Sequence, residues 1–159
     1  MKLSTQEEYG LRCLLQMARH EGESVTIAEL ARSEGLSVPN AAKILRVLRK
    51  GGLVTATRGQ AGGYLLARAA SEINVGEALA VLGGRLYDPR FCDKHAGMEA
   101  SCQHLTDCSI RSVWRLVQGA VDQVLGRLSL RDLLRNEQEM PTFQSPNAVS
   151  LPVVSSRAS

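Results

Sequence analysis

Residues 26–52 read TIAELARSEGLSVPNAAKILRVLRKGG, and this stretch decides the fold. Thr26 with Glu29 has the form of a capping box, in which hydroxyl and carboxylate satisfy backbone N–H groups at a helix start. Ile27, Leu30 and Ala31 follow at helical spacing, and Gly35 stands where a helix C-terminus takes a residue at positive φ. Ser37 then caps another helix, which carries Ala41, Ile44, Leu45 and Leu48 on one side as far as Gly51 and Gly52. Only Glu34–Gly35–Leu36–Ser37 separates the two. Two helices joined by a short glycine-containing turn, the second rich in cations, form a helix-turn-helix.

Opposite the apolar stripe of the second helix lie Asn40, Lys43, Val47 and Lys50, flanked by Arg46 and Arg49. This is the face expected in a DNA major groove. Asn40 and Lys43 can address base edges, whereas Arg46, Arg49 and Lys50 suit phosphates, which position without specifying. Ser37 joins this set at the helix N-terminus. No acidic residue occurs between Glu34 and Glu72, while Lys43, Arg46, Arg49, Lys50, Arg58 and Arg68 all do. The net charge is only +3, so the basic block is local. A polyanion surface follows, the plainer alternative being a solvated helix face.

Working toward the N-terminus, Ser4 with Glu7 repeats the capping box, and Leu11, Leu14, Leu15 and Ala18 recur at helical spacing. Cys13 falls near that apolar side and reads as a small core residue. In the other direction, LVTATRGQAGGYLLA places two short strand-forming segments around a glycine-rich turn, a β-hairpin. Helix-turn-helix followed by a hairpin is a winged helix. Arg58 at the wing tip suits a minor groove or a phosphate. Asn74 and Glu77 open a further helix through Val75, Ala78, Leu79 and Leu82 to Gly83–Gly84.

Ile110, Val113, Trp114, Val117, Val121, Val124, Leu125 and Leu128 then keep a helical period over about five turns. A stripe that long needs a partner, either its own copy across a two-fold axis or the rest of its own subunit. The expected fold is therefore mainly α. Residues 1–82 form a winged helix-turn-helix DNA-binding domain with a small hairpin wing. Residues 83–109 form a cysteine-bearing loop, 110–135 a long dimerisation helix and a short helical turn, and 136–159 a flexible tail.

The 159 residues are 44% apolar, 22% charged and 4% aromatic, which fits a small globular protein and argues against an aromatic stacking platform. No apolar run reaches the length of a membrane span, and MKLSTQEEYG has no apolar signal core. The chain reads as cytoplasmic, with no membrane partner and no small-molecule substrate. Clustered cysteines in that compartment are more often metal or redox ligands than disulfides. The stretch CDKHAGMEASCQHLTDC, Cys92 to Cys108, holds three of the four cysteines at spacing C-x9-C-x5-C. Structural zinc favours tighter pairs such as C-x2-C. Wider spacing on a loop suits an iron–sulfur cluster, and zinc or a thiol switch is the alternative. An enzyme or electron carrier fits less well, since no catalytic pair or second cofactor motif accompanies the cysteines.

These motifs resemble the IscR/NsrR-type transcription regulators, the Rrf-two family. The resemblance covers about residues 1–135 and is carried by MKLSTQEEYGLRCL, LSVPNAAKILRVLRKGGLV, the wing RGQAGGYLLAR, INVGEALAVL and three cysteines before the long helix. It implies a homodimeric repressor or dual regulator, not an enzyme, whose affinity for double-stranded promoter DNA follows the state of an iron–sulfur cluster, 2Fe-2S or 4Fe-4S. The implied signal is iron, cluster supply, nitric oxide, oxygen or redox poise. Cys92, Cys102 and Cys108 match the cluster thiolates, although the first gap is longer than the family's usual one. IscR-like members take a histidine three positions after the last cysteine as fourth ligand. Here that position is Arg111, whose guanidinium stays protonated. NsrR-like members take a carboxylate from the N-terminus of the partner subunit, and Glu8 stands at the matching place. His104 is its near-level local rival, with His95 behind.

Overall fold

Capped helix starts organise the molecule. The computed structural model describes residues 3–57, 62–88, 90–96, 98, 102, 104 and 107–140. Helix α1 (Thr5–Arg19) starts on Ser4, whose hydroxyl accepts the Glu7 N–H at 3.2 Å while the Glu7 carboxylate accepts the Ser4 N–H at 2.7 Å. Thr26 and Glu29 repeat this reciprocal bond at α2 (Ile27–Glu34), which ends at Gly35 with φ 64°. That left-handed backbone favours glycine, and it turns the chain directly into α3 (Val38–Lys50), capped by Ser37. The helix-turn-helix expected from residues 26–52 is present.

The core lies where α1, α2, α3 and α4 (Val75–Gly83) meet. Cys13, Leu14, Met17, Leu30, Leu45, Leu48, Leu53, Ile73 and Leu82 form its centre, and Cys13 is fully buried, as its place on α1 indicated. Gly10 of α1 sits against the Leu82 side chain, so close that a Cβ there would overlap the leucine. A glycine inside a helix costs stability, and here it lets α1 and α4 approach.

Strand β1 (Val54–Thr57) pairs antiparallel with β2 (Gly63–Leu66), Val54 opposite Leu66 and Thr57 opposite Gly63. Thr57 Oγ1 accepts the Gly63 N–H at 3.1 Å and donates to its carbonyl at 3.2 Å, closing the hairpin. Val25 adds an isolated third rung that sequence periodicity did not reveal. Its N–H donates to Tyr64 O at 3.0 Å and its carbonyl accepts the Tyr64 N–H at 2.8 Å, which ties the wing to the entrance of α2.

The expected cysteine loop contains one helical turn, α5 (Phe91–Lys94), and is followed by α6 (Ser109–Leu125). At 17 residues α6 is ~25 Å long. Leu128, expected on its stripe, lies beyond it. The helix closes at Gly126, whose N–H donates to Asp122 O at 2.8 Å. The chain then turns back, so that Leu128 O accepts the Val75 N–H and the Leu130 N–H donates to Ile73 O, each at 2.9 Å. Leu130 is fully buried, so this return strap belongs to the winged domain. Short 3₁₀ turns follow at Asp132–Leu134 and Glu137–Glu139. Residues 141–159 of the expected tail lie outside the described residues. Among the described residues no helix is long and apolar enough to cross a membrane.

The apolar stripe of α6 is divided. Toward the N-terminus Ile110 is 63% exposed, Val113 51% and Trp114 44%, whereas Val117, Val121, Val124 and Leu125 are half-buried and Gln118 is buried. The described residues of its own subunit leave the N-terminal part of this face uncovered.

Candidate nucleic-acid interface and cysteine segment

Helix α3 buries Ala41, Ile44, Leu45 and Leu48, so the remaining positions turn outward. Asn40, Lys43, Arg46, Arg49 and Lys50 are all exposed, as are Ser37 and Val38 at the entrance. The Ser37 hydroxyl accepts the Asn40 N–H at 3.4 Å as the cap, which leaves its proton available to an outside acceptor. Val47 departs from the expectation. It is half-buried and packs on the core, standing between the buried Ile44 and Leu48 along the helix. The outward face is correspondingly more polar than the sequence suggested.

Arg68 also leaves the basic block. Its guanidinium meets Glu77 Oε1 at 2.6 Å and donates to Glu72 O at 3.4 Å, so α4 neutralises it. Among the described residues, ion pairs engage Arg12, Arg68, Arg85, Arg90 and Arg135 but none of Lys43, Arg46, Arg49 or Lys50. Four cations on one helix therefore keep their charge for an external polyanion. Arg58, the expected wing contact, lies outside the described residues.

The cysteine segment is built on aromatic packing. Tyr87, Phe91 and His95 recur every fourth residue. The Tyr87 and Phe91 rings lie 5.7 Å apart at 46°, and Phe91 stacks on His95 at 4.0 Å and 17°. His95 Nδ1 is 2.8 Å from the Phe91 carbonyl, which only accepts, so Nδ1 donates and Nε2 is the ring nitrogen left to an outside partner. Half-buried Cys92 places Sγ 3.9 Å from the Tyr87 hydroxyl. Desolvation, with the bond to Cys92, holds the Tyr87 phenol above the usual tyrosine range.

Cys108 is the N-cap of α6, and its Sγ accepts the Arg111 N–H at 3.4 Å. Arg111, standing where a histidine ligand was sought, instead donates from Nη2 to the His104 carbonyl at 2.7 Å, bracing the loop. His104 itself is exposed, as is Glu8 on the first turn of α1. Cys92, Cys102 and Cys108 are all half-buried free thiols. Among the described residues, no three His, Cys, Asp or Glu side chains converge as a metal site. The donor set fits a soft-metal cluster in its chemistry. Thiolates are the ligand form, and soft sulfur ligands select such clusters.

Tyr87, Arg85, Gln118 and Asp122 were not singled out by sequence reasoning. The four-residue spacing of Tyr87, Phe91 and His95, and one amide inside an apolar stripe, were the available signals.

The comparisons with known proteins agree with this architecture. Residues 3–136 match the family model Rrf2, described as an iron-dependent transcriptional regulator. The chain is 37% identical over 142 residues to Protein rrf2 of Nitratidesulfovibrio vulgaris, covering 89% of this chain and 92% of that protein. It is similar to the solved structure of T. potens IscR, with a TM-score of 0.66, 34% identity and 91% and 94% of the two chains covered. It is also similar to CymR, the global cysteine regulator of B. subtilis, with a TM-score of 0.65, 28% identity and 84% and 96% covered. A winged helix with outward cations on α3, matched to the family over most of its length, leads to one conclusion: the chain belongs to the Rrf2 family of transcriptional regulators.

Proposed function

We propose that this regulator binds promoter DNA as a homodimeric repressor or dual regulator, and that an iron–sulfur cluster on Cys92, Cys102 and Cys108 controls its affinity. The observation that carries the reading is the place of Cys108. It caps α6, whose first apolar residues Ile110, Val113 and Trp114 are left exposed by the described residues, so the cysteine segment and the surface suited to a second copy share an element. Asn40 and Lys43 read base edges, while Arg46, Arg49, Lys50 and the Ser37 hydroxyl hold phosphates and Arg58 extends the contact from the wing. Two such helices reach successive major grooves when they lie ~34 Å apart. Pairing across α6 sets that spacing.

When bound, the cluster supplies a labile, redox-sensitive link between the cysteine segment and its surroundings. Glu8 of the partner subunit or His104 completes the ligand set, and the held ring of His95 offers Nε2 as a third candidate. A coupling of ~1–3 kcal/mol between cluster state and dimer geometry changes DNA affinity ~5- to 150-fold.

Anaerobic purification with visible absorbance, iron and sulfide analysis tests the cluster. Iron and sulfide in equal amounts support it, and Glu8→Ala set against His104→Ala then identifies the fourth ligand by which variant loses iron. A second reading, a thiol switch or zinc without a cluster, draws support from the likeness to CymR. A colourless, iron-free protein selects that reading.

A further inference from the structure

The loop before Cys92 is fastened to α6 on two adjacent turns. Arg85 ion-pairs with Asp122, and Tyr87, two residues on, donates its backbone N–H to Gln118 Oε1 at 2.9 Å. Gln118 Nε2 donates to Asp122 Oδ1 at 2.8 Å. An obligate donor on one side and an obligate acceptor on the other fix which end of the amide is which. Gln118 is only 8% exposed, so the amide at the centre of this joint is shielded from water while the Arg85–Asp122 pair beside it is half-exposed. The side chain of the same Tyr87 reaches the other way, its hydroxyl 3.9 Å from Cys92 Sγ, the long limit of a bond to sulfur. Phe91 steadies its ring. A thiolate ligand carries no proton, so with Cys92 ligated only the phenol can donate.

We propose that Tyr87 is a positioning residue that holds Cys92 Sγ with its hydroxyl and, through its backbone bond to Gln118, passes the state of the cysteine segment to α6. The inference rests on the cluster reading above and adds the residues that would connect it to the dimerisation surface. Donors to ligand sulfurs set reduction potential and retain the ligand. Displacing Tyr87 strands the buried Gln118 amide, so the joint is either made or broken and the adjoining turn of α6 follows the loop.

The test uses the full chain, purified anaerobically as wild type, Tyr87→Phe and Gln118→Leu. Tyr87→Phe removes one oxygen and keeps the ring stack and the backbone bond. It should assemble the cluster with a more negative reduction potential and an altered visible circular-dichroism spectrum, and lose iron to a chelator about tenfold faster. Gln118→Leu should keep the wild-type potential, while its ratio of holo to apo DNA affinity falls toward one. A wild-type potential and iron-loss rate in Tyr87→Phe, or an undiminished ratio in Gln118→Leu, overturns the inference while the cluster reading stands. A wild type without iron and sulfide overturns both.

Discussion

The side-chain amide of Asn74 donates to the Leu125 carbonyl at 3.1 Å, so the residue that starts α4 also closes α6. Its Oδ1 accepts the N–H groups of Gly76 and Glu77, and its Nδ2 reaches the carbonyls of Gly126 and Leu128 as well, both at 3.0 Å. One side chain thus serves the orphan donors of one helix and the orphan acceptors of another. Asn74→Ala should destabilise the protein by about 2–3 kcal/mol, combining a lost cap with lost carbonyl partners. Asn74→Asp separates the two roles. Aspartate caps as well as asparagine, yet here it would turn a carboxylate onto carbonyl oxygens at the negative end of α6. Urea unfolding at fixed protein concentration should find Asn74→Asp costly, and an unperturbed midpoint would mean that the contacts to α6 contribute nothing.

On the α3 surface, Arg49→Ala should weaken binding to all DNA and lower the salt slope by about 1. Lys43→Ala should instead relax discrimination between sequences. Arg68→Ala serves as the internal contrast, because Glu77 already holds that cation. Fluorescence anisotropy over a salt series should leave Arg68→Ala on the wild-type line, and a slope change there would extend the interface to α4.

Burial pushes the Cys13 thiol up from 9.0 to about 11. The unfolded chain therefore ionises this group first, so its contribution is complete below pH 9.0 and is lost as pH rises toward about 11. The effect is about 3 kcal/mol at most. Under reducing conditions, wild type should lose more stability between about pH 8 and about pH 10.5 than Cys13→Ala does. Native alkylation followed by mass spectrometry should label Cys92, Cys102 and Cys108 in the apo protein, and Cys13 only after unfolding. Labelling of folded Cys13 would contradict its burial.

At the α1–α4 crossing, Gly10→Ala gains helix propensity of ~1 kcal/mol but drives a methyl into Leu82, which is 3% exposed and has little room to move. Overpacking should win, with a net loss of about 1–2 kcal/mol. A thermal melt at or above the wild-type midpoint would show that the helices separate freely.

The helix-turn-helix was legible because its signals are local. Ser4–Glu7, Thr26–Glu29, Gly35 and Ser37 act within one turn, and apolar spacing identifies the buried faces of α1 and α3. What escaped depends on residues far apart in the chain. Val25 pairs with Tyr64 and Leu128 folds back on Val75, neither of which a window of residues contains, while Arg68 and Glu77 lie nine residues apart but do not share an element. Val47 has helical spacing suited to the outer face, but it is drawn half-buried against the core. At the cysteine segment the residue types were readable while their arrangement was not, since Tyr87 and Gln118 act through backbone and side-chain bonds that no spacing rule encodes.

The central claim is that cluster state governs DNA binding. The most direct measurement is the affinity of anaerobically prepared holo protein and of the same sample after iron and sulfide removal, at one salt concentration, for a duplex selected from a random library. The account predicts a difference of at least ~5-fold between the two forms, abolished when Cys92, Cys102 or Cys108 is replaced by serine. Equal affinities of the two forms would contradict it.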